Sequence, residues 1–563
     1  MFLGSTVLAH AQIPQIDTRI PSEGANEGHV AVRFTLPPIE VGLRYPQGAP
    51  LIVIAPGGQG VGGLSGGAPY AMQGFVAATF LFPGGSEGPF QSDGTYDYRG
   101  ERCILALRDV LRYCGGEGVD FQGRSIEQLL PVPVLTGEVG LTGLSNGGPI
   151  SAAVLGSHGA ELACVAYYVG WENPTGGQTV AVEVGARRYD CDPESDGDGN
   201  GLPEDDGKNP YLEGYGPTSM SIDYAGLTWD PSYAWVVTDP AQQQPPIERT
   251  GILFLDGNAN GALDFVPPDG ECLDQNGNGY LDLGDDYLLR PSVSYASGAL
   301  CLHYARETVQ AAFDRDVYHG AWPEDVATPA ESEAFWSVRD ATRFYESLAA
   351  ACPELRVLLA FHTVDHVQAD DGHPHIQQAY DGFRAGDLWC RLNPDEAYYR
   401  LLDPHPADLP ADHDANLPVD WPDMKLFAEP YALSSTIAAR AGVLEMADRT
   451  HYGWWSPNLD APLARLAPMI EATHLRLCVS PHPAGASSWI DWRTCGASPA
   501  ILRCYDASGR LLASRMLPIA PAGRLTLGMM LDAQSAVPAG GVLWLELRAG
   551  TRRVARRVIR LSH

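Results

Sequence analysis

Lysine is nearly absent from this chain. Lys208 and Lys425 are the only two among 563 residues, so arginine carries almost all of the positive charge. Basic side chains are scarce altogether: 37 stand against 69 acidic ones, a formal net charge of -32. That balance argues against nucleic acid and anionic membranes as partners, because both need a basic face. No apolar run is long enough to span a bilayer as a helix. No His-rich cluster and no HExxH pattern offers a zinc site. The glycine-rich stretch Gly57-Gly58-Gln59-Gly60 opens no clean amphipathic helix, which argues against a dinucleotide site, and no organic cofactor is expected.

What is present suits a globular protein with a real core. Hydrophobic residues make up 45%, and the length suggests two to four domains. Residues 1–11 are apolar and end in Ala9-His10-Ala11, a small-x-small cleavage pattern, although a basic start is missing. They read as the remnant of a signal peptide, so a secreted or cell-surface bacterial location is expected. Eleven cysteines are an odd number, and in an exported protein several should pair; Cys103/Cys114 and Cys352/Cys390 are candidate disulfides.

Residues 28–170 alternate strand-like and helix-like segments. Strands are expected at 51–55, 76–82, 139–143 and 164–169, and a helix at 101–113. The pattern returns over 330–450, with a helix at 334–350, a strand at 355–361, a helix at 374–384 and a strand at 388–392. The fold class is therefore α/β, with a mostly parallel sheet covered by helices. Between the two halves, 171–329 reads as an acidic insertion or cap rich in Gly, Pro, Asp and Asn. From Asp190 to Asp286 it has 21 acidic residues and 2 basic ones. Residues 475–563 carry short alternating strands with turn signals, a small all-β sandwich.

One motif carries chemistry. Gly143-Leu144-Ser145-Asn146-Gly147 follows a strand-like run and precedes a small-residue helix. That is the setting of a nucleophile elbow, where two glycines allow a sharp turn that exposes the serine hydroxyl. Gly63-Leu64-Ser65-Gly66-Gly67 has the same pattern, but no strand leads into it, so Ser65 is read as a decoy. Order of strand, glycine-rich loop, elbow serine, insertion, strand and acid resembles the α/β-hydrolase superfamily, over about 28–170 and 330–450. The resemblance implies a serine hydrolase. Ser145 is then the nucleophile, and backbone N–H groups of Gly58 or Gln59, with Asn146, form the oxyanion hole. It places the acid at the end of the strand after the insertion, where Phe361-His362-Thr363-Val364-Asp365 stands; Asp365 is the choice, with His362 departing from the usual Gly. The base should follow the next strand. His405 is preferred over His413, and neither has the common Gly-His setting. His375, with His366 and His373, begins a helix, and a base there would break the family's order.

The insertion also has metal-loop spacing. Asp274, Asn276, Asn278, Asp282 and Asp285 supply oxygens at positions 1, 3, 5, 9 and 12, with the Tyr280 carbonyl at 7 and Gly279 at 6. This is EF-hand-like calcium spacing, with Asp in place of the final Glu. Asp256, Asn258, Asn260 and Asp264 repeat the first nine positions, and Asp196, Asp198 and Asn200 begin a third copy. The loops resemble the Asp/Asn-Gly repeats of secreted bacterial proteins, which implies structural Ca2+ holding otherwise coreless chain. At the C-terminus, Ser480-Pro481-His482-Pro483, Tyr505-Asp506-Ala507-Ser508-Gly509-Arg510 and Pro538-Ala539-Gly540 resemble FlgD-type Ig-like and type IX secretion sorting modules. That implies contact with secretion machinery or attachment to the cell surface. The expected activity is hydrolysis of a small or polymeric ester through an acyl-enzyme. A serine peptidase of the same fold and a non-catalytic surface protein are the alternatives.

Overall fold

The computed structural model describes residues 13–175, 224–256, 261–263, 286–289, 291–296, 298–361, 374–395, 398–399, 402, 435–453, 455, 476–480, 489–493, 500–506, 511–517, 522–526, 541–549 and 552–560. The chain divides into two compact units, Met1–Gly453 and Trp454–His563.

The first unit is built on one large sheet. Its strands are β1 (Gln15–Ser22), β2 (Gly28–Thr35), β3 (Ala49–Ala55), β4 (Val76–Leu81), β5 (Val134–Leu144), β6 (Val165–Trp171), β7 (Arg356–Ala360) and β8 (Trp389–Leu392). They lie in the order β1-β2-β4-β3-β5-β6-β7-β8. β1 and β2 form an antiparallel hairpin, and β2 meets β4 antiparallel. Along this path every pairing from β4 to β8 is parallel; a ninth, two-residue strand, Gly62–Gly63, joins β4 antiparallel off the path. All seven residues of β3 and all six of β4 are buried, as expected of parallel strands covered on both faces. The sheet starts at Gln15, earlier than the alternating pattern beginning near residue 28.

Helices cover both faces. α1 (Glu101–Cys114), α2 (Gly147–His158), α3 (Arg306–Asp314), α4 (Pro329–Trp336), α5 (Tyr345–Ala351), α6 (Pro374–Ala385) and α7 (Ser435–Tyr452) follow in chain order. One apolar cluster joins Leu51, Val53, Val139, Leu141 and Leu359 to α1, α2, α5 and α6. α7 packs on the opposite face, where Gly442 lies against Leu358 and Val169. Buried charges hold α7 down. Arg44 pairs with Asp448 at 2.5 Å, and Arg449 bridges Glu445 at 2.7 Å and Asp395 at 2.8 Å.

Three expectations are corrected here. The single helix at 334–350 is two helices, α4 and α5, separated by residues 337–344, which include a 3-10 turn at Ala341–Arg343. Asp340 restarts the chain: its carboxylate accepts the N–H of Thr342 at 3.0 Å and pairs with Arg306. The inserted segment is not coreless among its described residues. Strands Leu227–Val237, Ile247–Asp256 and Asp286–Leu288 form one antiparallel sheet, and Ser292–Ala296 pairs with Ala299–His303 in a hairpin. Leu227, Leu253, Leu255, Leu302, Tyr304 and Val309 form a core of its own. The candidate disulfides are absent too: Cys103, Cys114, Cys352 and Cys390 are free thiols. Cys103 and Cys114 sit at opposite ends of α1, about 16 Å apart at helical rise, far beyond disulfide reach. The Cys352 thiol instead points at the Leu155 carbonyl, 3.8 Å away, and Cys390 is buried in β8.

The second unit consists, among its described residues, of two antiparallel sheets. One orders Arg476–Ser480, Trp489–Arg493 and Ala522–Thr526; the other orders Leu511–Leu517, Ala500–Asp506, Gly541–Ala549 and Arg552–Arg560. Leu502, Cys504 and Leu545 are buried there.

Candidate active site

The site forms where the central strand β5 turns into α2. Ser145 occupies that turn with φ 49°, a left-handed conformation that a non-glycine residue adopts only when its surroundings impose it. The surroundings are explicit. The Ser145 N–H donates to the Trp171 carbonyl of β6 at 2.9 Å, and the Gly148 N–H donates to the Ser145 carbonyl at 2.8 Å. The flanking glycines are steric requirements. A Cβ on Gly147 would overlap the Ala55 carbonyl oxygen, and one on Gly143 would sit 2.8 Å from the Gly147 carbonyl oxygen.

Asn173, just past β6, locks the turn. Its side-chain amide nitrogen donates to the carbonyls of Gly143 (2.8 Å), Ser145 (2.7 Å) and Trp171 (3.0 Å), and its Oδ1 accepts from the Tyr168 hydroxyl at 2.9 Å. It is buried, so each bond is made away from water. Ser65, by contrast, is exposed and does not take a left-handed conformation; the expectation that no strand precedes its motif is corrected, because a two-residue strand, Gly62–Gly63, runs into it.

The loop after β3 faces the elbow. A Cβ on Gly57 would lie 3.2 Å from Ser145 Cβ, and Gly58 follows with φ 65°. Four of this loop's carbonyls are tied down. Arg99 donates to Pro56 (2.9 Å) and Gly57 (3.0 Å), and the Tyr96 hydroxyl to Gln59 (2.5 Å) and Gly60 (2.8 Å). Among the described residues, no group accepts the N–H of Gly58, Gln59 or Asn146. These are the three donors assigned from sequence to an oxyanion hole, and Asn146 adds the electropositive N-terminus of α2.

A small pocket, partly open to solvent, adjoins the turn. Asn146, Pro149 and Ile150 of the elbow helix meet Gln59, Tyr98 and Arg99 there. The hairpin of the inserted segment contributes Ser292 and Val293, and Phe335, Trp336 and Arg339 close the wall. Gln59 Nε2 donates to Ser292 Oγ at 3.2 Å, linking the oxyanion loop to the insertion. Behind this wall His303 stacks on Phe335 at 3.8 Å and shares a 2.8 Å bond with Ser294. Burial first, then the Arg339 charge, lowers its pKa to about 3, so it is neutral.

The remaining triad candidates fall largely elsewhere. Asp365, His405 and His413 lie outside the described residues, as do His366 and His373. His375 is described and fully buried in the first turn of α6, away from the pocket lining. Asn393 joins the roots of the two segments that carry Asp365, His405 and His413. Its N–H donates to the Leu359 carbonyl at 2.8 Å, and its Oδ1 accepts the Phe361 N–H at 2.9 Å. Of the calcium-loop residues, Asp274, Asn276, Asn278, Tyr280, Asp282, Asp285, Asn258, Asn260, Asp264, Asp196, Asp198 and Asn200 also lie outside the described residues. Asp256 ends its strand, and its Oδ2 accepts the Gly261 N–H at 2.7 Å. Among the described residues, no group of three His, Cys, Asp or Glu side chains gathers into a metal site, and no helix is long and apolar enough to cross a membrane.

Sequence reasoning missed Tyr96, Arg99, Asn173 and Arg339. No local pattern marks them, because each acts across a long stretch of chain; Arg339 reaches the carbonyls of Asp97 and Tyr98.

No protein-family model matches the chain, and no curated protein does. Among solved structures it is similar to carboxyl esterase 2 from the mycorrhizal fungus Tuber melanosporum, at 11% identity and TM-score 0.30, covering 69% of this chain and 78% of that one. It is similar to the alpha/beta hydrolase GrgF from Penicillium sp. sh18 at 13% identity and TM-score 0.22, covering 30% and 48%. A bacterial heroin esterase gives 16% identity and TM-score 0.21, covering 31% and 49%. The chain spans about half the length of the last two. The large, mostly parallel sheet with helices on both faces is consistent with the α/β-hydrolase fold that the sequence resembles.

Proposed function

We propose that the first unit is a serine hydrolase acting on carboxylic esters. The observation that carries this reading is the strained Ser145 turn, held between β5 and α2 with three open N–H donors beside it. In this mechanism Ser145 Oγ attacks the acyl carbon while a histidine takes its proton. Charge then develops on the former carbonyl oxygen, and the N–H groups of Gly58 or Gln59 and Asn146 stabilise it. The histidine returns the proton to the departing alcohol, and water releases the acyl group by the same steps. The base is drawn from His405, His413 and His375, and Asp365 orients it. An ester is the substrate class implied by the resemblance, an argument from fold-level analogy.

A fluorophosphonate probe tests the core of this reading. Mass spectrometry should find the adduct on Ser145, and Ser145→Ala should abolish labelling and ester turnover together. An unlabelled Ser145 in folded protein would sink the proposal.

We also propose that Ca2+ stabilises the inserted segment through the loops at 274–285, 256–264 and 196–201. The support is the oxygen-ligand spacing, with Asp256 placed at the end of its strand. The melting temperature should fall on adding a chelator and recover with Ca2+; an unchanged value would count against it. Export, with a surface or secretion role for the second unit, is the reading that the terminal motifs support. Detection of the mature protein only inside cells would contradict it.

A further inference from the structure

We infer that the pocket beside Ser145 selects esters bearing an anionic group, a carboxylate in the simplest case. The inference rests on the ester-hydrolase reading and adds the chemical class of its substrate. Two arginines line the pocket, Arg99 and Arg339. Elsewhere in this unit buried arginines sit on carboxylates, as Arg44 does on Asp448 and Arg249 on Asp325. These two do not. Arg99 gives its terminal nitrogens to the carbonyls of Pro56 and Gly57, and its Nε is buried with no acceptor. Arg339 donates to the carbonyls of Tyr98 (2.7 Å), Phe335 (2.6 Å) and Asp97 (2.5 Å). Each guanidinium also covers an aromatic ring, Phe82 at 4.3 Å and Phe335 at 3.9 Å.

Carbonyls and rings orient a guanidinium but do not neutralise it. Arginine stays charged at neutral pH, so both residues leave positive charge at the pocket wall, that of Arg339 partly offset by the Asp97 carboxylate behind it. The nearby acids are engaged behind the wall. Asp97 accepts the N–H groups of Gly100 and Arg102 at the start of α1. Asp239 accepts the Tyr98 hydroxyl and the N–H groups of Ala241, Gln243 and Gln244. Neither lines the pocket. The rest of the wall is largely apolar, with Pro149, Ile150, Pro174, Val293, Phe335 and Trp336. Such a site suits a substrate with a carbon skeleton and one anionic end. In a chain of net charge -32, bulk electrostatics would repel that substrate, so any preference for it must come from this local pair.

The test compares matched esters on the full-length protein. Mono(4-nitrophenyl) adipate is set against 4-nitrophenyl hexanoate, and 4-acetoxybenzoate against methyl 4-acetoxybenzoate, which places the charge on the acyl or the leaving side. The charged member of one pair should have a kcat/KM at least tenfold higher. That ratio should shrink as salt rises from about 0.05 to 0.5 M. Arg339→Gln should bring it to within a few-fold of one, while Arg339→Lys, which keeps the charge, should retain most of it. Equal or reversed preference in both pairs, with Ser145 still labelled by fluorophosphonate, overturns the inference and leaves the hydrolase reading intact. A preference insensitive to both salt and Arg339→Gln overturns it as well. Should Arg339→Gln not fold, the salt series and Arg339→Lys decide. Should turnover be too slow, protection of Ser145 from the probe by adipate over hexanamide reads the same ratio, and no difference overturns it. Failure to label Ser145 at all removes the reading underneath.

Discussion

Two segments of this protein spell the same motif and differ in how the surrounding chain holds it. Gly63-Leu64-Ser65-Gly66-Gly67 links a two-residue strand to a four-residue helix, with its serine exposed. Gly143-Leu144-Ser145-Asn146-Gly147 joins the central strand to a buried helix, with its serine at positive φ and the Asn173 amide bonded to three carbonyls around it. The difference teaches that the pattern only permits the turn. Strand pairing to β6 and the Asn173 side chain impose it.

The comparison can be broken most directly at the serines. Ser145→Ala should lower ester turnover by about 10⁴-fold or more, and Ser65→Ala should leave it and the stability unchanged. Equal losses in steady-state assays would erase the distinction. Asn173→Leu should come next, because it removes the amide from three carbonyls and leaves the Tyr168 hydroxyl unpaired in a buried place. We expect a destabilisation of about 2–4 kcal/mol in urea unfolding and a deeper loss of turnover than that stability change explains. A variant that stays fully active would show that β6 alone sets the turn. Gly147→Ala should cost about 1–3 kcal/mol, since its methyl group meets the Ala55 carbonyl rather than a side chain that can yield.

Smaller effects sharpen the picture around the turn. Tyr96→Phe frees the carbonyls of Gln59 and Gly60 and should lower kcat about tenfold with little change in KM. A change confined to KM would place Tyr96 in substrate binding instead. The mildest effect is expected at His303. Its folded pKa of about 3 lies below the ordinary value of 6.5, so the unfolded chain takes a proton that the folded one refuses. The stability it contributes is complete above pH 6.5 and is lost as pH falls toward 3, at no more than about 1.4 kcal/mol per pH unit. Denaturation midpoints at pH 7 and pH 5 should therefore converge in His303→Gln relative to the parent; an unchanged difference would assign the acid sensitivity to other groups.

Much of the frame was legible from residues alone. The continuous apolar runs at 51–55 and 76–82 marked buried parallel strands, because such strands need no polar face. The long apolar run before Ser145 marked it as the turn on a central strand, although a two-residue strand also precedes Ser65. Other features were not legible, for identifiable reasons. Cys103 and Cys114 looked like partners only until their helix fixed the distance between them. The break between α4 and α5 depends on Asp340 meeting Arg306, a contact no local window contains. Sparse apolar residues hid the core of the insertion, since Leu227, Leu253 and Leu302 converge only when the three-stranded sheet meets the hairpin. Arg99 and Arg339 were invisible because carbonyl acceptors leave no trace in side-chain spacing.

Charge divides the chain as sharply as geometry does. Residues 454–563 have 13 arginines, no lysine and 6 acidic side chains, whereas residues 1–453 have 24 basic and 63 acidic ones. The net negative charge therefore belongs to the first unit alone, and partners inferred from the whole-chain value do not transfer to the second.

Ser292 and Val293 reach the pocket from the inserted hairpin, while every contact that holds the elbow comes from the sheet and its immediate flanks. The hairpin can therefore change its part of the pocket wall without removing a contact that holds the turn.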